Sequence, residues 1–125
     1  MPIDATLPYD DRNVFAKILR GEIPSNKVYE DDWAFAFHDI NPQAPVHILV
    51  IPKGAWVSWD DFSERASAEE IAGFVRAVGQ IARDNGLVAP GYRLLVNIGA
   101  HGHQEVPHLH VHLFGGRPLG PMLAR

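Results

Sequence analysis

The chain has no cysteine, which excludes a disulfide framework, thiolate nucleophiles and thiolate zinc sites and agrees with a reducing compartment. It also lacks a surplus of positive charge. Fifteen acids against eleven bases give a net charge of −4, so docking on a nucleic-acid backbone through a basic patch is not expected. Phosphate, where bound, must be held by geometry rather than by bulk charge. No apolar run approaches membrane-spanning length, and the stretch from Met1 to Asp11 carries acids and prolines instead of the basic-then-apolar pattern of a signal peptide. An intracellular, cytoplasmic protein is the expectation, with neither membrane nor nucleic acid as partner. Repeats and low-complexity stretches are missing too, so 125 residues, 46% hydrophobic and 21% charged, read as one soluble globular domain.

What the chain does have is His108, Leu109, His110, Val111, His112, Leu113, Phe114. In an extended strand the period of two sends the aliphatic residues to one face and all three imidazoles to the other, with successive rings roughly 7 Å apart. A solvated face accepts any mixture of polar residues. Three of the one type that titrates near neutral pH is a poor match for mere solvation.

The remaining elements follow from periodicity and punctuation. Val14, Phe15, Ile18 and Leu19 fall at helical spacing, with Asn13 as cap and Gly21 as stop. Lys27 to Glu30 and Trp33 to His38 read as strands; in the second, Trp33, Phe35 and Phe37 share one face and Ala34, Ala36 and His38 the other. Prolines make Asp39 to Pro45 a rigid loop. His47 to Ile51 is a buried strand ended by Pro52, followed by a polar connection holding Trp56 and Trp59. Ser67 with Glu70 forms a capping box for one long helix, whose stripe is Ile71, Phe74, Val75, Val78, Ile81 and Ala82 and whose end is Asn85-Gly86. Tyr92 to Asn97 and His108 to Phe114 are the last strands, closed by Gly115 and Gly116. The loop between them, from Ile98 to Pro107, is long for a hairpin and suggests a working segment. An α+β fold is expected: a five-stranded antiparallel sheet with one long and one short helix, covered on one face and carrying imidazoles on the other.

The residues leave three uses for the histidines. They can share a metal ion, with His47 or the loop histidines completing the set, although no carboxylate stands beside the row in sequence. They can form a pH-sensing or structural cluster. Or a neutral imidazole, mostly deprotonated near pH 7, can attack phosphorus while its neighbours and the backbone N–H groups of the Gly-rich loop hold phosphate oxygens. The third use draws on more of the sequence than the others.

Phe15-Ala16-Lys17-Ile18 with Gly21-Glu22-Ile23-Pro24, the run from His38 through Pro42-Gln43-Ala44-Pro45 to His47, and His108-Leu-His-Val-His-Leu-Phe-Gly-Gly116 together resemble the histidine triad (HIT) family. Within it the chain is most similar to the HINT branch of nucleoside phosphoramidases, especially the bacterial ones, down to the ending Gly-Gly-Arg117-Pro-Leu-Gly-Pro-Met122. The resemblance implies a HIT domain over residues 13–117, with a loose segment 1–12 and a tail 118–125. It implies a homodimer whose sheets join edge to edge, no cofactor or metal, and a purine nucleoside 5′-phosphoramidate as substrate, hydrolysed to AMP and an amine. His110 would be the nucleophile and His112 would bind phosphate and protonate the amine, while His108, linked to His47, would orient the row. Asp39 would take the ribose hydroxyls beside Ile40. Asn97, His103, Gln104 and Glu105 would line the phosphate and leaving group, and Val14, Phe15, Ile18 and Phe37 would wall the base. Alternatives are a dinucleoside polyphosphate hydrolase or a non-catalytic nucleotide-binding module.

Several of these residues have plain structural uses as well. Val14, Ile18 and Phe37 sit at core spacing, Asp39 and Asn97 at turn positions, and His47 at the head of a buried strand; His38 and His101 read as structural or surface. Two positions depart from the family pattern. Asn13-Val-Phe-Ala16 stands where zinc-binding relatives have Cys-x-x-Cys, so that zinc is not expected. His103 stands where a glycine is expected, and histidine enters positive φ less freely.

Overall fold

A computed structural model describes residues 2–124. The chain runs α1 (Val14–Leu19), β1 (Lys27–Glu30), β2 (Ala34–His38), β3 (Val46–Pro52), α2 (Trp59–Arg65), α3 (Ala68–Asp84), β4 (Arg93–Leu95) and β5 (Val111–Gly115). The strands form one antiparallel sheet in the order β1-β2-β3-β5-β4. No helix among the described residues is long and apolar enough to cross a membrane.

Helix ends form where the sequence supplies side-chain acceptors for the orphan N–H groups. Asn13 accepts from Ala16 N–H, and Ser67 and Glu70 close a reciprocal capping box on α3. The helix α2 was not expected; its segment reads as a polar connection because seven residues carry too short a stripe to register as periodic. Ser58 and the buried Asp61 cap it, the Asp61 carboxylate accepting from Val57 N–H and Ser58 N–H, both at 2.8 Å.

On one sheet face, Ala34, Ala36, Ile48, Val50, Val111 and Leu113 pack under Phe62 of α2 and Phe74, Ala77, Val78, Ile81 and Ala82 of α3. The alanines of β2 carry no bulk, and this lets the long helix sit close to the sheet. In α3 the stripe is displaced slightly from the expected one: Ala77 is buried, whereas Val75 is 51% exposed. Trp33 also departs from its expected place. The strand starts one residue later, and the indole lies on Gly73 of α3, where an added Cβ would come within 2.3 Å of the ring.

The opposite face is divided. Across β2 and the second half of β3, Phe35, Phe37, Leu49 and Ile51 are covered by Phe15 of α1, with Ile18, Leu19 and Val106 at the margin, so this face is not left wholly to imidazoles. At the β3–β5 side it turns polar. The register pairs Leu49 with His112 and His47 with Phe114, which makes His47 and His112 diagonal neighbours on one face.

Strand β5 begins only at Val111, so His108 and His110 precede the ladder rather than belonging to it. The single row of three rings at strand spacing is therefore corrected: Leu109, Val111 and Leu113 keep the expected burial, but the backbone leaves regular strand geometry after Pro107. Leu109 N–H donates instead to Trp56 C=O at 2.8 Å.

Candidate active site

His110 and His112 open on a cleft of about 460 Å³ together with Asp39, Asn41, Gln43, His47, Leu95, Asn97, His103, Glu105 and Phe114. Four segments meet here: the loop after β2, the start of β3, the end of β4, and the long loop with β5. Phe114 floors the cleft, stacked parallel to His112 and 4.2 Å from the His47 ring.

The hydrogen bonds determine which nitrogen of each ring carries the proton. His110 Nδ1 lies 2.7 Å from His108 C=O, an acceptor, so Nδ1 holds the hydrogen and Nε2 keeps a free lone pair. Gln43 N–H donates to His47 Nδ1 at 3.2 Å, so His47 carries its hydrogen on Nε2 and donates to His112 Nδ1 at 3.0 Å. His112 then bears its own hydrogen on Nε2. A lone pair on one ring thus stands beside an N–H on the next, with ring centroids 5.2 Å apart.

Burial is the leading cause of low proton affinity in all four rings. It lowers His110 and His47 below the ordinary 6.5, against the opposing pull of Asp39. His112 falls to about 4, with the neighbouring His110 and His47 adding to the burial cost, and His108, fully buried, also falls to about 4. At neutral pH these four rings are neutral imidazoles, the form that is nucleophilic.

The expected link between His108 and His47 is not present. His47 bonds His112, because those two lie diagonally across the β3–β5 ladder, while His108 is turned into the interior and bonded to Pro52 C=O (2.9 Å) and the Tyr9 hydroxyl (2.6 Å). Gln104 does not line the cleft either. It is 4% exposed and inside the loop, accepting from Gly99 N–H and donating to Val57 C=O and Val106 C=O. His103 takes φ 61°, the left-handed value the loop's path requires, with its ring 3.3 Å from the Glu105 carboxylate.

Asp39, Asn97, His103 and Glu105 are brought together with the histidines. Val14, Phe15, Ile18, Phe37 and Ile40 are not lining residues of this cleft. Val14 borders an adjoining groove with Asp10, Arg12, Asn13, Val106 and Pro107, and Glu105 borders both. Phe15 and Phe37 are buried edge to face, Phe15 reaching the His110 ring at 5.0 Å, whereas Ile40 is 87% exposed. Ile18 stays at the margin of the α1 cluster. Sequence reading passed over Asn41, Gln43, Leu95 and Tyr9; the first two follow Asp39 so closely that the loop itself was a signal, and Tyr9 carried none.

A carboxylate does stand beside the imidazoles in space: donor atoms of Asp39, His47 and His112 lie within 4.8 Å of one another. One Asp39 oxygen accepts Asn41 N–H at 2.8 Å and the other is 3.5 Å from His47 Nε2. A metal would have to displace the Nε2 hydrogen to Nδ1, where it would collide with Gln43 N–H. The donor set therefore fits a proton relay better than an ion.

A compact sheet that presents a lone-pair imidazole beside an N–H imidazole in a polar cleft defines a scaffold for nucleophilic group transfer. The HIT domain model matches residues 20–119. The chain is 65% identical over 117 residues to an uncharacterised 13.2 kDa HIT-like protein of Azospirillum brasilense, covering 94% of this chain and 96% of that one. It is 50% identical over 115 residues to the purine nucleoside phosphoramidase of Escherichia coli, covering 91% and 95%. Among solved structures, a HIT family hydrolase from Clostridium thermocellum superposes with TM-score 0.82 at 40% identity, over 92% of this chain and 99% of that one. The protein belongs to the HIT domain family.

Proposed function

We propose that the protein hydrolyses purine nucleoside 5′-phosphoramidates, adenosine preferred, through a nucleotidyl-His110 intermediate. The observation that carries this reading is the tautomer chain Gln43 N–H to His47 to His112, beside a His110 whose Nε2 is left free by the bond from Nδ1 to His108 C=O. The similarity to the Escherichia coli phosphoramidase supports the same substrate class.

In the first step His110 Nε2 attacks the α-phosphorus and the bond from phosphorus to the amine nitrogen breaks. Bound phosphate favours uptake of one solvent proton by the neutral His112, and the resulting imidazolium hands its Nε2 proton to the departing nitrogen and returns to neutral. In the second step water attacks phosphorus, the phosphorus–Nε2 bond breaks, and His112 takes the water proton. AMP leaves, His112 gives its extra proton back to solvent, and the neutral starting state is restored. Each step cleaves a bond from phosphorus to nitrogen, so one hard reaction becomes two of similar difficulty.

Asn97, His103 and Glu105 would border the phosphate and amine, and Asp39 the ribose beside the exposed Ile40. The base would lie in the groove by Val14, whose floor Phe15, Ile18 and Phe37 support from within. Among the described residues bordering the histidine cleft there is no lysine or arginine. Each added phosphate of a dinucleoside polyphosphate would bring negative charge next to the Asp39 and Glu105 carboxylates, which favours the amine leaving group. A homodimer joined at the edge strand β4, where Leu94 is 48% exposed, and a cytoplasmic location belong to the same proposal.

Wild type and His110→Ala compared on an adenosine phosphoramidate and on a dinucleoside polyphosphate test the reading. Fast turnover of the first, lost in the variant by at least about 10³-fold, is expected. Faster turnover of the polyphosphate identifies the alternative hydrolase, and binding without turnover of either identifies a nucleotide-binding module.

A further inference from the structure

Tyr9 lies before the region the HIT domain model covers, in a segment with no secondary structure of its own, yet its hydroxyl reaches the first histidine of the triad at 2.6 Å. The direction of that bond is fixed by what lies on the other side of the ring. His108 Nε2 faces Pro52 C=O at 2.9 Å and must donate, so Nδ1 is a bare acceptor and the Tyr9 O–H is its donor. The rings also meet edge to face, with centroids 5.5 Å apart. Within the described residues no other group satisfies that nitrogen, which is sealed from solvent with the rest of His108.

His108 matters to the chemistry through its backbone. Its carbonyl accepts His110 Nδ1–H, and this bond both assigns the tautomer and aims Nε2 of His110. The residue sits ahead of β5, outside the ladder, so the 108–109 peptide plane is held by one main-chain bond, Leu109 N–H to Trp56 C=O. A ring clamped at both nitrogens is the second restraint on the same plane. Cutting one clamp leaves an unsatisfied buried acceptor and a side chain free to turn.

We propose that Tyr9 is a positioning residue: by clamping the His108 ring it holds the carbonyl that orients His110. The proposal rests on the reading of His110 as nucleophile, and the mechanism described above gives Tyr9 no contact with substrate. The N-terminal segment thereby becomes part of the catalytic apparatus, although it contributes no reacting atom.

Tyr9→Phe keeps the edge-to-face packing and removes only the hydroxyl. With adenosine 5′-phosphoramidate, kcat should fall about five- to twentyfold at unchanged KM, the signature of misaimed attack rather than weakened binding. In the substrate-free, full-length protein labelled with 15N-histidine, the His108 Nδ1 resonance should shift and the ring resonances of His110 should shift with it. A variant with normal kcat and an unmoved His110 spectrum overturns the proposal, even if its melting temperature drops, because Tyr9 would then only tether the segment. A raised KM at normal kcat overturns it too, making Tyr9 a binding residue. Should wild type not hydrolyse the phosphoramidate at all, the functional reading fails by itself, and the His110 resonances alone decide the fate of the Tyr9 clamp.

Discussion

Acid should destabilise this fold through His108, and the size of the effect can be worked from its burial. The ring is fully enclosed between Pro52 C=O and Tyr9 and holds its proton affinity at about 4, against 6.5 when exposed in the unfolded chain. Between those values the unfolded chain binds the proton and the native chain does not, so stability is complete above pH 6.5 and is lost as pH falls toward 4. Lowering pH from 7.5 to 5 therefore costs about 2 kcal/mol through this ring alone. For a chain of 125 residues that corresponds to roughly 8 °C in melting temperature. His108→Gln keeps a donor for Pro52 C=O and an acceptor for Tyr9 but cannot titrate. Thermal unfolding followed by circular dichroism at fixed protein concentration, at pH 7.5 and 5, should show wild type losing about 8 °C more than the variant. Parallel losses in the two proteins would refute the reasoning.

Other consequences follow from the same network. His47→Leu removes the donor that assigns the His112 tautomer and should lower kcat by about 10²-fold with little change in KM, measured by steady-state turnover. Because burial lowers His110 below the ordinary 6.5, the nucleophile stays neutral from pH 8 to 6.5, so any acid-side loss of kcat/KM should be centred below 6.5; an acid limb centred above 6.5 would contradict it. Extended treatment with a chelator should leave turnover intact, since the Gln43 N–H on His47 opposes metal binding, whereas loss of activity restored by zinc would invalidate the tautomer assignment.

Much of the fold was legible because local signals agreed with one another. The Ser67–Glu70 box, the α3 stripe and the alternation in β2 each specify an element without help from distant residues. The helix α2 was missed because its reason to exist is tertiary: Phe62 inserts under α3, and only seven residues carry that signal. The candidate site was legible as residue types and not as connections. His-x-His-x-His announces a cluster, but a period-two reading extends the strand back to His108, and it takes the Leu109–Trp56 bond to show where the ladder ends. The His47–His112 pairing depends on the register of β3 against β5, which no single stretch encodes. Gln104 reads as a ligand-facing polar residue because sequence cannot reveal that the loop folds around it.

The account stands on the free Nε2 of His110, and the most direct measurement is the mass of the residue that becomes labelled. Wild type should be mixed with a slowly hydrolysed adenosine phosphoramidate, quenched within a turnover, digested and read by mass spectrometry. An adenylyl increment on His110, absent when His110 is replaced by alanine, is the expected result. Product formed with no such adduct, or an adduct on His108 or His112 in its place, would contradict the mechanism.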